Sequence, residues 1–499
     1  MLGIFSRTLI LLTLIGAFPG FGREIKWSPT LPENAKFPYL KIIGGDDEGF
    51  FVLRSNISLD TDRDRAGLRS RKYFLQYFSM EMALRWEGEL NAQSDDTRFA
   101  DIKVVNGRVL VVSYGQDKST RQFRFYAQYL GTGAAYIGTP VLIDTVAVSR
   151  LDEDNKPGIL LNRDESQFVF TYRKVPSDGS RQSFEAVLLD TALSLLYRKE
   201  IPVDTEQPRF SPLRYVLTER GNFYILGIEF LTDKKVKAPG ESYYRLLGYQ
   251  HSGDRLVNQE IKVQDRFLTD VSLAADNRNN RIVVAGFYSD KTNYTTSGVF
   301  YYGLEEDALA TTRVLTAPFS QEFVRKTSGD RRDRGSGELV NYSIDRIILR
   351  NDGGAVIVAE SFYQTTRTYW DFYMQASVTH YYYHFGNILL ISMDPAGSIS
   401  WSNVVQKDQN SIDDSGYYSS YCSVVSNGMQ YSLFNKYIDD DSSVLLSIVD
   451  GKGAQRTETL FNEVERVAII PRSGKQVDEE TLLLPAYRQN KLYFVRITF

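Results

Sequence analysis

The chain has 499 residues, a formal net charge of −4 and 13% aromatic residues. A protein that attracts nucleic acid electrostatically is clearly basic over one face, so this charge balance argues against that function. The 32 tyrosines and 29 phenylalanines favour β-strands and recognition surfaces over helical bundles. A single cysteine, Cys422, excludes an intramolecular disulfide, and its strand-like surroundings predict a small buried side chain.

The N-terminal segment has the pattern of a secretory signal. Arg7 supplies a positive charge, residues 8–18 are apolar, and small residues precede a cut before Arg23. The apolar run is too short for a comfortable transmembrane helix, and no second long apolar run follows. We expect residues 1–22 to be removed and residues 23–499 to form an exported protein of the periplasm, outer surface or extracellular space.

A short tryptophan phrase recurs along the chain. Trp27, Trp86 and Trp401 each follow an apolar residue two positions earlier. A phrase that returns over a long chain is typical of a repeat architecture.

Trp86 and Trp401 each belong to a larger unit of four extended segments joined by turns rich in Gly, Asp and Asn. The turns and the absence of a helical period between them predict antiparallel meanders. Seven units are complete and the last is not; in chain order they are residues 37–90, 98–145, 158–203, 208–263, 267–318, 344–405, 417–461 and 464–499.

The last unit lacks the fourth segment, the one that carries tryptophan. Residues 24–28 have that phrase and no unit of their own. Pairing them with the last strand removes an open sheet edge, which is how a β-propeller closes. The sequence therefore predicts an all-β fold, a single β-propeller of eight four-stranded blades, with seven as the alternative count.

Two other all-β folds were weighed against the propeller. A β-helix requires shorter and more regular coils. A transmembrane β-barrel requires strands that alternate apolar and polar residues, and residues 493–499 do alternate. The second segments of the units, such as residues 356–360, are instead apolar on both faces. Strands of that kind are covered on both sides, as in stacked blades.

The turn with the clearest repeat pattern lies in residues 390–401. Gly397 follows Asp394 by three positions, and Trp401 follows Gly397 by four. This resembles the blade repeat of quinoprotein-like propellers, in which a strand ends in Asp, turns at Gly and returns with Trp. Weaker matches to this pattern occur at residues 250–253 and 450–453. The chain also resembles the secreted propellers of unknown role that are common in Bacteroidota, and no specific protein is identified.

The quinoprotein-like group includes redox enzymes and non-catalytic scaffolds, among them a propeller lipoprotein of outer-membrane protein assembly. The enzymes would imply two adjacent cysteines, and this chain has one, so we expect no cofactor. Ser392, Asp394, Gly397 and Trp401 also have the residue types of a sialidase turn. Both spacings are one position too long, and an ordinary turn between strands explains the same residues.

Metal ligands are scarce, because the chain has three histidines. His380 and His384 share one face of a predicted strand, and Asp371 is a candidate third ligand across a hairpin. A polar, aromatic strand surface explains the same residues, so we expect no metal. Residues 60–64 begin like a calcium loop, but Arg65 and Arg71 replace the Gly and Glu that such a loop requires.

Two insertions interrupt the repeat. Residues 319–341 are locally basic and predict a mobile loop, with a disordered linker as the alternative. Residues 362–386 predict an aromatic hairpin that stands out from the sixth blade. Exposed aromatic side chains with a polar atom are typical of docking surfaces. The alternative is that the hairpin simply packs over the face of the propeller. The predicted partner- or ligand-binding residues are Tyr369, Trp370, Phe372, Tyr373, Tyr381, Tyr382 and Tyr383.

These patterns predict an exported, non-catalytic β-propeller that acts as an interaction scaffold of the cell envelope. We expect another envelope protein or a complex as the partner, a glycan as a further ligand of the hairpin, and no nucleic acid. The alternative is a carbohydrate-binding or glycoside-cleaving propeller. Such an enzyme needs paired carboxylates in the central funnel, and no pair stands out in the sequence.

Overall fold

The structure is a computed structural model. It describes residues 23–31, 36–56, 72–91, 97–117, 119–120, 122–146, 151, 157–174, 182–203, 209–232, 235, 237–238, 240–290, 295–328, 338–373, 375–438, 442–489 and 491–499. The predicted signal, residues 1–22, and the calcium-like residues 60–64 lie outside them.

Strands dominate the described residues and form antiparallel meanders in chain order. After β1 (Glu24–Trp27), the first sheet contains β2 to β5, which are Tyr39–Gly45, Gly49–Ser55, Tyr73–Ser79 and Leu84–Leu90. The second contains β6 to β9, which are Thr97–Val105, Arg108–Asp117, Gln122–Leu130 and Tyr136–Val146. The third contains β10 to β13, which are Gly158–Leu161, Gln167–Lys174, Ser183–Asp190 and Leu195–Pro202.

The middle of the chain continues the pattern. The fourth sheet contains β14 to β17, which are Phe210–Leu217, Phe223–Phe230, Ser242–Gln250 and Arg255–Ile261. The fifth contains β18 (Phe267–Asp276), β19 (Arg281–Ser289), β21 (Gly298–Glu305) and β22 (Thr311–Pro318). A small two-stranded sheet joins β20 (Thr295–Thr296) to β23 (Leu339–Val340), and the helix α1 (Gln321–Ser328) lies between them in sequence.

The last three sheets vary most. The sixth contains β24 (Tyr342–Leu349), β25 (Ala355–Asp371), β26 (Ala376–Met393), β27 (Ile399–Val405) and β28 (Gln409–Ile412). The seventh contains β29 to β32, which are Cys422–Ser426, Met429–Asn435, Val444–Val449 and Gln455–Phe461. The eighth contains β33 (Val467–Ile469), β34 (Lys475–Gln476), β35 (Thr481–Arg488) and β36 (Lys491–Thr498).

The Trp27 strand belongs to the eighth sheet. Strand β1 pairs antiparallel with β36, and Trp27 lies opposite Val495. The ring of Trp27 contacts Phe461 and Tyr493, with centroids 5.2 and 5.8 Å away. The predicted pairing of this strand with the last strand is present in the structure.

The first strands of the sheets meet at a common centre. Strand β2 contacts β6, β6 contacts β10, β10 contacts β14, β14 contacts β18, and β18 contacts β24. Arg346 of β24 donates to the Ser423 carbonyl of β29, and β34 contacts β2. Residues 41–45, 102–104, 159–161 and 475–477 surround a cleft of about 460 Å³ at this centre. Four-stranded sheets arranged around a centre make a β-propeller, so the predicted fold type is confirmed.

The core lies between neighbouring sheets. Second strands such as β3 and β15 are buried along their whole length, because both of their faces are covered. Phe125 of the second sheet packs against Phe170 of the third, with ring centroids 5.1 Å apart. Phe494 of the eighth sheet packs against Phe50 of the first at 5.7 Å. This aromatic packing explains the high content of phenylalanine.

Carboxylates on first strands connect one sheet to the next. The β6 ladder shifts register between Phe99 and Asp101, and Asp101 accepts a hydrogen bond from the Ile159 amide of the third sheet. The β18 ladder shifts in the same way before Asp270, which accepts from the Ile344 amide of the sixth sheet at 2.6 Å. A β-bulge re-aims a side chain, and here it turns a carboxylate toward the neighbouring sheet.

Candidate functional site

The aromatic insertion is a long hairpin, as predicted. Strands β25 and β26 continue past the end of β24 and stay paired from Phe362 opposite Phe385 to Asp371 opposite Ala376. Threonine and aromatic residues dominate this segment, and such residues favour extended backbone. The hairpin therefore extends from the sixth sheet.

A third strand supports one side of the hairpin. Strand β28 pairs with β26 and places Ile412 opposite Tyr382 and Gln409 opposite Phe385. The sequence analysis missed this strand, because a short polar run such as Gln409–Ile412 carries no strand signal.

The predicted binding residues divide between two faces of the hairpin. Residues directly opposite each other in a ladder share a face, and successive residues alternate. Tyr369 and Tyr382 therefore lie on one face, which also carries both histidines. Trp370, Tyr381 and Tyr383 lie on the other face. The structure does not gather the predicted residues into one patch.

Exposure concentrates at the tip. Tyr373 is fully exposed at 101%, Phe372 is 83% exposed, and Trp370 and Tyr369 are about half exposed at 53% and 50%. Tyr381, Tyr382 and Tyr383 are half-buried. Side chains as large as Phe372 and Tyr373 are rarely left this exposed without a role, because burying them releases free energy.

Two histidines on one face are held by β28 and by the segment after it. The Nδ1 atom of His380 is hydrogen-bonded to the Asp413 carboxylate, and its Nε2 atom lies 3.1 Å from the Tyr369 hydroxyl. The ring planes of Tyr369 and His380 differ by 16°, so the two rings stack. A carboxylate on Nδ1 sets the tautomer, so Nε2 is the acceptor of the Tyr369 proton when the ring is neutral.

The second histidine repeats the arrangement. The Nδ1 atom of His384 lies 2.6 Å from Oδ1 of Asn410, and Nε2 lies 3.2 Å from the Thr365 hydroxyl. Tyr363 stacks on the His384 ring with centroids 4.4 Å apart. Arg367 lies over the Tyr382 ring between the two stacks. This face is a continuous strip of stacked and hydrogen-bonded side chains.

These contacts leave no room for a metal site built from both histidines. Residues four apart on a strand are separated by about 13 Å, so His380 and His384 cannot hold one ion. Asp371, the third candidate, accepts from the Tyr373 amide instead. Within the described ranges, no group of three His, Cys, Asp or Glu side chains is arranged to hold a metal ion.

The base of the hairpin contains a buried ion pair. The Lys407 ammonium lies 2.8 Å from Glu360, and their side chains are 0% and 7% exposed. Ser420 donates to the other Glu360 oxygen at 2.7 Å, and Lys407 donates to Gln409 at 3.1 Å. Burial lowers the pKa of Lys407, and Glu360 opposes that shift. The network joins β25 to the start of β28 and so positions the hairpin.

The first strands bring two carboxyl groups near each other. Asp270 accepts from the amide of Ile344, the residue before Asp345, and Asp345 accepts from the Tyr421 hydroxyl at 2.6 Å. Desolvation by the surrounding protein raises the pKa of Asp345 to about 6 and raises that of Asp270 as well. Both oxygens of Asp270 accept backbone amides. Asp345, which solvent reaches, is therefore the acid of this pair that is open to a ligand.

The tryptophans of the repeated phrase pack between sheets. The Trp401 indole donates to the Gly451 carbonyl of the seventh sheet at 3.1 Å. Gly453, with a φ of +87°, lies so close that an added Cβ would meet the Trp401 ring at 2.6 Å. Trp401 is half-buried and holds a structural position.

The Asp–Gly turns are ordinary turns between third and fourth strands. Asp394 accepts the amides of Ala396 and Ser398, and Asp450 accepts those of Lys452 and Ala454. Asp190 makes the same two bonds in the third sheet. These carboxylates satisfy local backbone groups, which is the structural explanation for the sialidase-like spacing.

The other insertion differs from its prediction. Residues 321–328 form helix α1, whereas the sequence predicts a mobile loop over 319–341. Phe323 and Val324 are buried against the fifth and sixth sheets, which explains why the helix forms. Residues 329–337 lie outside the described residues. No described helix is both long enough and apolar enough to cross a membrane.

No protein-family model and no curated protein sequence matches this chain. Solved structures similar to it include the WD40 domain of SCAP from fission yeast, at 10% identity over 96% of this chain and 94% of that one, with a TM-score of 0.42. An acylaminoacyl peptidase from Pyrococcus horikoshii matches at 9% identity over 91% and 59%, with a TM-score of 0.36. An α-L-arabinanase from Penicillium chrysogenum matches at 10% identity over 68% and 92%, with a TM-score of 0.34. At these scores the similarity carries no functional argument.

Proposed function

We propose that the eight sheets are the blades of one closed ring. First strands contact one another in order from β2 to β24, Arg346 of β24 donates to β29, and Gln476 of β34 is hydrogen-bonded to Val425 of β29. Strand β34 returns to β2, and β1 adds the outer strand of the eighth sheet. The packing of Phe494 against Phe50 and Phe78 supports contact between the last blade and the first. Radial closure of this kind leaves only short strand edges exposed on the blades.

We propose that the protein is an exported scaffold that binds another cell-envelope protein or complex through the 362–386 hairpin. The observation that carries this proposal is the exposure of Phe372 and Tyr373 at the tip of a braced hairpin. A rigid support reduces the entropy lost on binding, and aromatic side chains supply most of the contact energy at such sites. Export rests on the signal pattern of residues 1–22.

The test is affinity purification of the tagged protein from its native host. Phe372→Ser combined with Tyr373→Ser should remove a specific co-purifying protein. Tyr437→Ser is the matched control, because Tyr437, in the segment that follows β30 of the seventh sheet, is an aromatic residue with a similar exposure to solvent, 49%. If the tip variant retains every protein that the control retains, the hairpin is not the binding site.

The second candidate function is carbohydrate binding or cleavage, and Asp345 favours it. A general acid for glycoside cleavage needs a raised pKa, and Asp345 has one beside Asp270. Glycoside cleavage also needs a second carboxylate that can act on the substrate or on water. Both oxygens of Asp270 already accept backbone amides, which argues against that role. A panel of oligosaccharides tests this candidate: hydrolysis that Asp345→Asn abolishes would favour the enzyme over the scaffold.

A further inference from the structure

Among the described strands, none pairs with the outer edge of the hairpin beyond its base. Strand β24 ends its pairing with β25 at Ser361, and the Phe362 amide donates to the Asn341 carbonyl. Beyond that point, no strand in the described part of the chain pairs with the outer edge of residues 364–370. All seven residues of this segment are exposed.

The direction of the backbone groups in this segment follows from the bonds on either side. Alternate residues of a strand direct their amide and carbonyl groups to the same edge. The backbone amide of Phe362 faces the outer edge, where it bonds to Asn341. The backbone amide and carbonyl groups of every second residue after it therefore face the outer edge as well; these residues are Gln364, Thr366, Thr368 and Trp370. The second strand of the hairpin supports this direction. Tyr381 lies opposite Thr366, and its carbonyl faces away from β25, because it accepts a hydrogen bond from the Asp413 amide on the β28 side.

Proteins normally protect such an edge with charges, proline, a bulge or a covering element. Between Gln364 and Trp370 there is no proline and one charge, Arg367. The ladder from Phe362 to Asp371 contains no register shift. The segment is therefore a regular strand edge, about 24 Å long, that accepts another strand.

We propose that this edge pairs antiparallel with the same edge of a second copy of the chain, about a two-fold axis at Thr368. Outward residues must lie opposite outward residues, which allows centres at Thr366, Arg367 and Thr368. Centring on Arg367 would place two like charges directly opposite each other, which is destabilising, so Thr366 is the competing centre. Centring on Thr368 forms about six backbone hydrogen bonds, from Thr368 to its own copy and between Thr366 and Trp370.

Side chains and shape favour Thr368 over Thr366. In this register Arg367 lies opposite Tyr369 of the second copy and diagonal to its Asp371, an aromatic ring and an acid that both attract a guanidinium. The axis is six residues from Phe362, so each propeller lies about 20 Å away on opposite sides. Both copies use the same edge, so the assembly stops at two. This proposal concerns the strand edge and does not depend on the hairpin binding another protein.

Light scattering of the purified protein across a concentration series is the first test. We expect twice the monomer mass at high concentration. Thr368→Pro should return the protein to monomer, since proline removes the outward amide and leaves the β25–β26 bonds in place. Thr368→Val is the matched control, because it keeps the amide and should keep the dimer. A wild-type protein that stays monomeric throughout the series would overturn the proposal.

A disulfide tests the register without requiring proline to be tolerated. Thr368→Cys places two thiols at a pair whose Cα atoms are about 5.5 Å apart, within disulfide range. Mild oxidation should give a covalent dimer from Thr368→Cys and none from Thr366→Cys. The native Cys422 is buried and does not compete. A covalent dimer from Thr366→Cys alone, or from neither variant, overturns the pairing at Thr368.

Discussion

The ammonium group of Lys407 lies 2.8 Å from the Glu360 carboxylate, and the protein excludes solvent almost completely from both side chains. Lys407→Met leaves the Glu360 charge buried without its counter-ion, so we expect a loss of about 3–5 kcal/mol in the free energy of unfolding. Denaturant titration measures it. The double variant with Glu360→Leu removes both charges and should recover most of the loss. If the double variant is as unstable as Lys407→Met, the ion pair is not the cause.

A change in pH should act on Asp345. Its pKa is raised from 3.8 to about 6 in the folded protein, so the folded state holds this proton more tightly than the unfolded chain does. Ionisation therefore opposes folding, and the contribution of this group to stability falls as the pH rises from about 4 through 6. Asp345→Asn keeps an acceptor for the Tyr421 hydroxyl and cannot ionise. We expect it to gain stability relative to wild type at pH 7.5 but not at pH 4; an equal difference at both values contradicts the assignment.

Two tryptophans provide a matched comparison of structural and surface roles. Trp27 packs against Phe461 and Tyr493, whereas Trp370 is 53% exposed on the hairpin. We expect Trp27→Ala to cost about 2–3 kcal/mol, because it removes ring contacts that attach β1 to the last sheets. Trp370→Ala should change stability by less than about 0.5 kcal/mol. Thermal unfolding of both variants is the measurement, and equal losses would mean that Trp27 has no special role in holding β1.

The single cysteine should be unreactive in the folded protein. Burial raises the pKa of the Cys422 thiol to about 12, and the thiolate is the reactive form. A colorimetric thiol reagent should label no cysteine at pH 8 under native conditions and one per chain in denaturant. Rapid labelling of the native protein would show that the seventh sheet opens at β29.

Much of the strand pattern could be predicted from the sequence, because second strands such as Gly49–Ser55 are buried on both faces and carry an apolar run, here residues 50–53. The displaced Trp27 strand could be predicted because its phrase had no unit of its own. Helix α1 could not be predicted from the sequence. Its two buried residues, Phe323 and Val324, lie among charged residues and form no apolar pattern long enough to indicate a helix.

The candidate site was predicted less completely. The exposure of Trp370 and Tyr373 could be expected from an aromatic insertion in the repeat. The division of the tyrosines between the two faces of the hairpin could not, because it depends on the strand register, and a shift of one position moves each side chain to the opposite face. The burial of Lys407 carries no sequence signal at all. From the sequence alone, Lys407 would be expected at the surface. Its burial becomes understandable only in the structure, where Glu360, 47 positions earlier in the chain, lies beside it.

The pairing of β1 with β36 also sets an order in time. Trp27 and Val495 are opposite each other in one ladder, yet 468 residues separate them in the chain. At synthesis rates of roughly 5–20 residues per second, about 23 to 94 seconds pass between the two. Strand β1 can therefore pair only after β36 has been made. Until then the Trp27 ring lacks its contact with Tyr493, so the N-terminal strand waits longest for its partner among the paired strands described.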